Sequence, residues 1–160
     1  MDNLEIKSKD SIPENIIGYN LVLLIYNSAN RIYEQLGAGH AESTYQKALL
    51  YELNLNNLNV DIERHINVVY EDSKGFKHFL TSERIDLYIH KNDFFKESDI
   101  VLELKAVSKT IQEQEIVQIK KYFRELKKDS IDIKFGIIIN FPQPNAKSTS
   151  DSIQFMLVHP

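Results

Sequence analysis

The sequence contains no cysteine, which excludes disulfides, thiol catalysis, zinc–thiolate centres and a Cys-ligated iron–sulfur cluster. No run of 18 consecutive apolar residues occurs, and the opening Met1-Asp2-Asn3-Leu4-Glu5 lacks the basic segment and apolar stretch of a secretory signal. These absences lead us to expect an intracellular, cytoplasmic protein without a membrane span. Excess positive charge is missing too. With 19 Lys and Arg against 23 Asp and Glu, the formal charge is −4, so a polyanion would have to be met by a local basic surface. Repeats and low-complexity segments are also lacking. What is present is ordinary: 42% hydrophobic and 26% charged residues over 160 positions. That composition and length suit one domain with a real core, spanning 1–160 with residues 1–10 as a flexible tail.

Ser11-Ile12-Pro13-Glu14 has the spacing of a capping box, with proline in the first helical turn. It predicts a helix to about Leu36, since Ile17, Leu21, Leu24, Ile25, Ser28, Ile32 and Leu36 recur at three or four. Gly37-Ala38-Gly39 ends it. A second helix is expected from near His40 to about Asn56, with Tyr45, Ala48, Leu49 and Leu53 inward, giving an N-terminal helical hairpin. From Val60 the period falls to two. A long strand through Ile66, Val68 and Tyr70 leads to a turn at Asp72-Ser73-Lys74-Gly75 and a return strand over 76–80. Thr110-Ile111-Gln112-Glu113 reads as a second capping box, opening a helix to about Lys128. Phe135-Gly136-Ile137-Ile138-Ile139 has the near-continuous apolarity of a strand buried on both faces. A strand, helix and buried strand in succession fit a right-handed crossover. Pro142-Gln143-Pro144-Asn145 breaks the chain, 147–152 reads as a polar loop, and 153–158 as a closing edge strand.

Two further strands lie between. Arg84-Ile85-Asp86-Leu87-Tyr88-Ile89 and Ile100-Val101-Leu102-Glu103-Leu104-Lys105-Ala106-Val107 alternate at period two across a polar break. On the second, Leu102, Leu104 and Ala106 share one face, and Val101, Glu103, Lys105 and Val107 the other. On the first, Ile85, Leu87 and Ile89 oppose Arg84, Asp86 and Tyr88. If the strands pair, Asp86, Glu103 and Lys105 come together. Two carboxylates on a rigid sheet supply the few oxygen ligands that Mg²⁺ accepts while it keeps its waters. A lysine beside them can orient a water and balance charge on a phosphoryl transition state. From the strands alone, the same charges equally suit the wet face of an antiparallel sheet.

Other positions add to the picture. Glu42 falls in the first turn of the second helix, where the helix dipole favours an acid, with Tyr45 one turn on. On the third helix Gln118 and Tyr122 are four apart and border the stripe of Ile116, Ile119, Phe123 and Leu126. Lys120, Lys121, Arg124, Lys127 and Lys128 make a basic stripe. With Lys109 these are the candidate nucleic-acid contacts, although helical angles turn most of the stripe away from Gln118 and Tyr122, as a solvated face would be. His65, His78 and His90 show no metal-ligand spacing, while His40 lies close to Glu42.

The run Leu36-Gly37-Ala38-Gly39-His40-Ala41-Glu42-Ser43-Thr44-Tyr45-Gln46-Lys47-Ala48-Leu49, with Tyr51-Glu52-Leu53, resembles the signature of the GxxExxY family. Arg84-Ile85-Asp86-Leu87, Leu102-Glu103-Leu104-Lys105-Ala106-Val107, Gln118-Ile119-Lys120-Lys121-Tyr122 and Ile139-Asn140-Phe141 fall where that family has its later blocks. The resemblance covers roughly residues 16–158. It places the chain with the PD-(D/E)XK nuclease-like superfamily. This implies a restriction-endonuclease-like α/β core, in which a central mixed sheet is flanked by helices. It also implies phosphodiester hydrolysis dependent on Mg²⁺ or Mn²⁺.

Carried over residue by residue, Asp86 is the first acidic ligand, and Glu103 and Lys105 the E-x-K pair. Glu42 is the helical acid, and Gln118 with Tyr122 matches a Q-x-x-x-Y motif. The carbonyl of Leu104 would join Asp86, Glu103 and Glu42 on the metal. Ile85 stands where the superfamily's namesake proline would be. Glu115 stands where a histidine is frequent, an acid that would either add a ligand or repel a phosphate. The implied partner is nucleic acid, DNA first. A homodimer is one way for so short a chain to cut both strands. The alternative is a catalytically silent nuclease-like module that binds nucleic acid or a partner protein.

Overall fold

The switch from a period of three or four to a period of two divides the molecule into helices that cover and strands that carry. The computed structural model describes residues 3–144 and 152–160. Among them the strands are β1 (Leu4–Ile6), β2 (Val60–Glu71), β3 (Lys77–Ile89), β4 (Ile100–Lys105), β5 (Gly136–Asn140) and β6 (Gln154–Val158). The helices are α1 (Tyr19–Leu36), α2 (Glu42–Leu55) and α3 (Glu113–Lys128), with a short 3₁₀ turn at Lys9–Ser11. One mixed sheet runs β1-β6-β5-β4-β3-β2. Every neighbouring pair is antiparallel except β4 and β5, which α3 joins in parallel. The layers are those of an α/β restriction-endonuclease-like fold.

The two sheet faces are buried by different helices. Leu87, Ile89, Leu102, Leu104, Ile137 and Ile139 pack with the apolar stripes of α1 and α2. Tyr88, Val101 and Ile138 pack beneath Ile116, Ile119, Tyr122 and Phe123 of α3. This two-sided cover explains the unbroken apolarity of β5, all five of whose residues are buried. Gly136 is needed there: an added Cβ would stand 2.7 Å from Ile119 Cδ1.

Several boundaries differ from expectation. The first helix starts at Tyr19, not near Pro13, because Gly18 takes φ 73° and Phe135 closes over it, 2.7 Å from where a Cβ would stand. Ser11 instead closes the 3₁₀ turn, its hydroxyl donating to Ser8 O at 2.8 Å. Residues 4–6, expected as flexible tail, are β1, paired with 155–157 of β6 and holding Ile6 buried. Thus β6 is an inner strand and β1 the edge. The return strand and the Asp86 strand are one 13-residue strand, β3. It pairs with β2 from Ile89 to Lys77, with an irregularity between Val68 and Val69. The cap of α3 falls later than Thr110: Glu115 accepts the Gln112 N–H at 3.0 Å, which gives Glu115 a structural task. Of the loop expected at 147–152, only Ser152 lies within the described residues.

Candidate active site

The site forms where β3 parts from β4. Their ladder covers only Leu87↔Leu102, Tyr88↔Val101 and Ile89↔Ile100. One residue further along, Asp86 replaces the missing ladder with its side chain: Oδ2 accepts the Leu104 N–H at 2.7 Å. Its own N–H points to Glu103 Oε1 at 3.5 Å. Because Asp86 steps out of the pairing, period two breaks there, and Ile85 packs under α3 with Tyr88, not with Leu87 and Ile89. On β4 the expected alternation holds: Leu102 and Leu104 face α1 and α2, while Glu103, only 4% exposed, does not.

Electrostatics gather these groups into one cluster. Burial pushes Asp86 up to about 7 against the lowering by the Leu104 N–H, and the charges of Glu42 and Glu63 push in the same direction. Burial and then the charge of Asp86 push Glu103 up to about 9. Glu42 is raised by burial and by Glu63, and Lys105 lowers it. Lys105, half-buried at the end of β4, is the cation that acts on all three. Three acids thus share one ammonium, with Glu63 beside them, and burial together with their mutual repulsion holds the Asp86 and Glu103 carboxyls above the ordinary carboxylate range.

Gln118 and Tyr122 lie behind this cluster. The Gln118 amide donates to Tyr122 Oη at 2.7 Å, and that hydroxyl donates to the Arg84 carbonyl at 3.1 Å. Tyr122 is not at the border of the stripe but inside it, 1% exposed. Its hydroxyl pKa is raised by burial and by the charge of Glu103. The pair therefore holds β3 just before it parts from β4. Of the basic candidates, Lys121 is spent on Glu83 at 2.6 Å, Lys120 is half-buried, and Arg124 and Lys109 are exposed. His40 is exposed, its ring edge-on to Tyr45 and its Nε2 3.2 Å from Leu36 O.

Sequence reasoning missed four supports. Glu63 on β2 has φ 52° and, with Gln46 of α2, contacts the Asp86 region. Asn140, 1% exposed, accepts from Val107 N and donates to the carbonyls of Val107 and Lys109, fixing the chain that leaves Lys105. Gln143 accepts from Gly39 N at 2.7 Å and donates to Tyr45 Oη at 3.2 Å. Tyr45 in turn stacks on Phe141 at 4.4 Å and donates to Gly37 O. The glycine corner before Glu42 is thereby tied to the end of β5. The one signal available was a lone polar residue, Asn140, ending an apolar strand.

The donor set suits a hard divalent cation, because Asp86 and Glu103 offer carboxylate oxygens whose mutual repulsion a cation would relieve. Among the described residues no three His, Cys, Asp or Glu side chains already form a ligand cage. A two-carboxylate site is nonetheless what Mg²⁺ takes alongside waters and substrate phosphate. No helix among the described residues is long and apolar enough to cross a membrane.

A sequence model of the PD-(D/E)XK nuclease superfamily matches residues 19–153. Among solved structures the chain is similar to the crystal structure of SSO0001, at 17% identity and a TM-score of 0.47, over 85% of this chain and 64% of that one. The chain therefore spans under two thirds of that structure's length. No curated protein matches it in sequence.

Proposed function

Because the chain belongs to the PD-(D/E)XK nuclease superfamily, we propose that it is a divalent-metal-dependent nuclease that hydrolyses phosphodiester bonds, in DNA before RNA, during nucleic-acid repair, processing or defence. The observation that carries this reading is the convergence of Asp86 and Glu103 beside Lys105 at the parting of β3 and β4. The likeness of the Gly37-to-Tyr45 run to the GxxExxY signature supports the same reading.

In this reading Asp86 and Glu103 hold Mg²⁺ or Mn²⁺ with the Leu104 carbonyl, and Glu42 joins them directly or through water. The bound ion would supply an activated water and neutralise charge developing on the phosphoryl group. Lys105 orients the attacking water and stabilises the equatorial oxygens. Gln118 and Tyr122 act through β3, since the Gln118 amide already donates to Tyr122 Oη. Arg124 and Lys109, both exposed, would take flanking phosphates.

The test is calorimetric titration with Mg²⁺ and Mn²⁺, run with cleavage assays on single-stranded, double-stranded and branched DNA and on RNA. Metal binding with cleavage that disappears in Asp86→Ala and Lys105→Ala supports the proposal. Metal binding and cleavage unchanged by Asp86→Ala would overturn the assignment. Nucleic-acid binding without cleavage would leave the silent-module alternative. Sedimentation with and without duplex decides whether a homodimer delivers two sites.

A further inference from the structure

The ladder between β2 and β3 has a gap opposite the parting of β3 from β4. Ile62 pairs with Leu87 and Arg64 with Ile85, but Glu63 and Asp86, which lie between, have no ladder partner. Glu63 takes φ 52°, a left-handed conformation that a side chain bearing a Cβ adopts only when its surroundings hold it there. What holds it comes from α2. Gln46, 9% exposed and one turn beyond Glu42, donates from Nε2 to Glu63 Oε1 at 3.1 Å and to the Asp86 carbonyl at 2.8 Å. Both partners are acceptors, so the amide is fixed with its NH₂ toward them, and both of its hydrogens are used.

The consequences for Asp86 follow from its other bonds. Its carbonyl is held by Gln46, its N–H faces Glu103 Oε1, and its carboxylate takes the Leu104 N–H. No ladder partner fixes this residue, so its orientation depends on those three contacts. We propose that Gln46 is a positioning residue: by tying the Glu63 carboxylate to the Asp86 peptide, it holds the Asp86 carboxylate against Leu104 and Glu103. The two bonds need a side chain with two N–H donors, which the amide supplies; a carboxylate at position 46 would set an acceptor against two acceptors. The kinetic consequence rests on the nuclease reading above. The geometric one does not.

Two readouts keep them apart. In ¹⁵N-labelled protein without metal, the Leu104 amide reports directly on its bond to Asp86. In Gln46→Leu that amide proton should move upfield and exchange at least tenfold faster, while the amides of Ile138 and Ile139 in β5 keep their protection. Glu63→Leu should move it likewise, and Glu63→Gln, which retains an acceptor oxygen, should leave it in place. If Leu104 is unchanged in both leucine variants, the bracket is overturned, whatever happens to activity. In cleavage assays Gln46→Leu should lower kcat at least tenfold with KM for DNA within twofold. A rise in KM at constant kcat would overturn the positioning role. If wild-type protein cleaves no substrate with either metal, the nuclease reading fails, and the Leu104 amide still decides for or against the bracket. Should Gln46→Leu not fold, the contrast between Glu63→Leu and Glu63→Gln carries the same decision.

Discussion

Two polar clusters lie only a few residues apart along β3, one built from β2, β3 and the β3–β4 connection and the other from β2, β3, β4 and the start of α2, and they are built on opposite terms. In one, Asp61 takes Arg64 Nη1 at 3.1 Å and His90 Nε2 at 2.8 Å. Asp99 accepts the Tyr88 hydroxyl at 2.5 Å and the Lys91 N–H at 2.8 Å, and the Arg64 guanidinium lies 4.0 Å over the Tyr88 ring. Each acid there meets donors, and burial and the Asp99 bond raise the Tyr88 hydroxyl above its usual range, keeping it a donor. In the other, Glu42, Asp86 and Glu103 share Lys105, the charge of Glu63 bears on Glu42 and Asp86, and the carboxyls of Glu42, Asp86 and Glu103 are pushed up. The first cluster spends its charges on the fold. The second leaves them unspent, which costs stability and is what binding a cation and phosphate requires.

The contrast can be broken at either cluster. The largest effect belongs to the crowded one: Asp86→Asn or Lys105→Ala should lower cleavage by about 100- to 1,000-fold or more, as single-turnover assays would register; in calorimetry Asp86→Asn should melt no lower than wild type, whereas Lys105→Ala, which removes the cation that offsets the three acids, should melt lower. Next is pH. Because the folded pKa values of Asp86 and Glu103 are raised, the native state binds more protons than the unfolded one between the ordinary carboxylate range and about 9. The stability they contribute is complete below a pH of about 4 and is lost as pH rises through about 7 and about 9. Denaturant melts without metal should show this fall, Glu103→Gln should flatten it, and Mg²⁺ should restore more at high pH than at low. At the satisfied cluster, Asp99→Ala strands two donors and should cost about 2–3 kcal/mol in urea unfolding, leaving kcat unchanged at temperatures where the variant is folded. Smallest is Tyr88→Phe, which removes one donor and should cost about 1 kcal/mol. If Asp99→Ala instead abolished cleavage while the chain stayed folded, the division between the clusters would be wrong.

Local pattern made much of this readable. The helical hairpin, the E-x-K strand and the buried β5 are written in periodicity and in glycine, whereas the alternation around Asp86, which grouped Ile85 with Leu87 and Ile89, breaks at Asp86 itself. Failures came where distant contacts decide. β1 has three residues whose partners lie some 150 positions later, so no window of sequence contains its reason to be a strand. The start of α1 depends on Phe135 closing over Gly18, far beyond helical range. Tyr122 was placed at a border that proved to be interior, because its ring packs with Ile85 and Tyr88 of the sheet and its hydroxyl reaches the Arg84 carbonyl, contacts that the spacing along one helix does not contain. Glu63 carried no motif, and Gln46 lay within the Leu36-to-Leu49 run without a role of its own: a left-handed glutamate looks like any other acid on a strand, and a helical glutamine looks like any solvated one.

The short β1 has a last consequence. Leu4 lies opposite Leu157 in the antiparallel β1–β6 ladder, where facing Cα atoms are about 5 Å apart. A short peptide linking the strands at this pair would therefore close the described fold into a ring. New ends could then be opened between Ser73 and Lys74, both exposed, in the tight turn between β2 and β3. Such a circular permutant keeps every contact of the site while reversing which half of it is synthesised first.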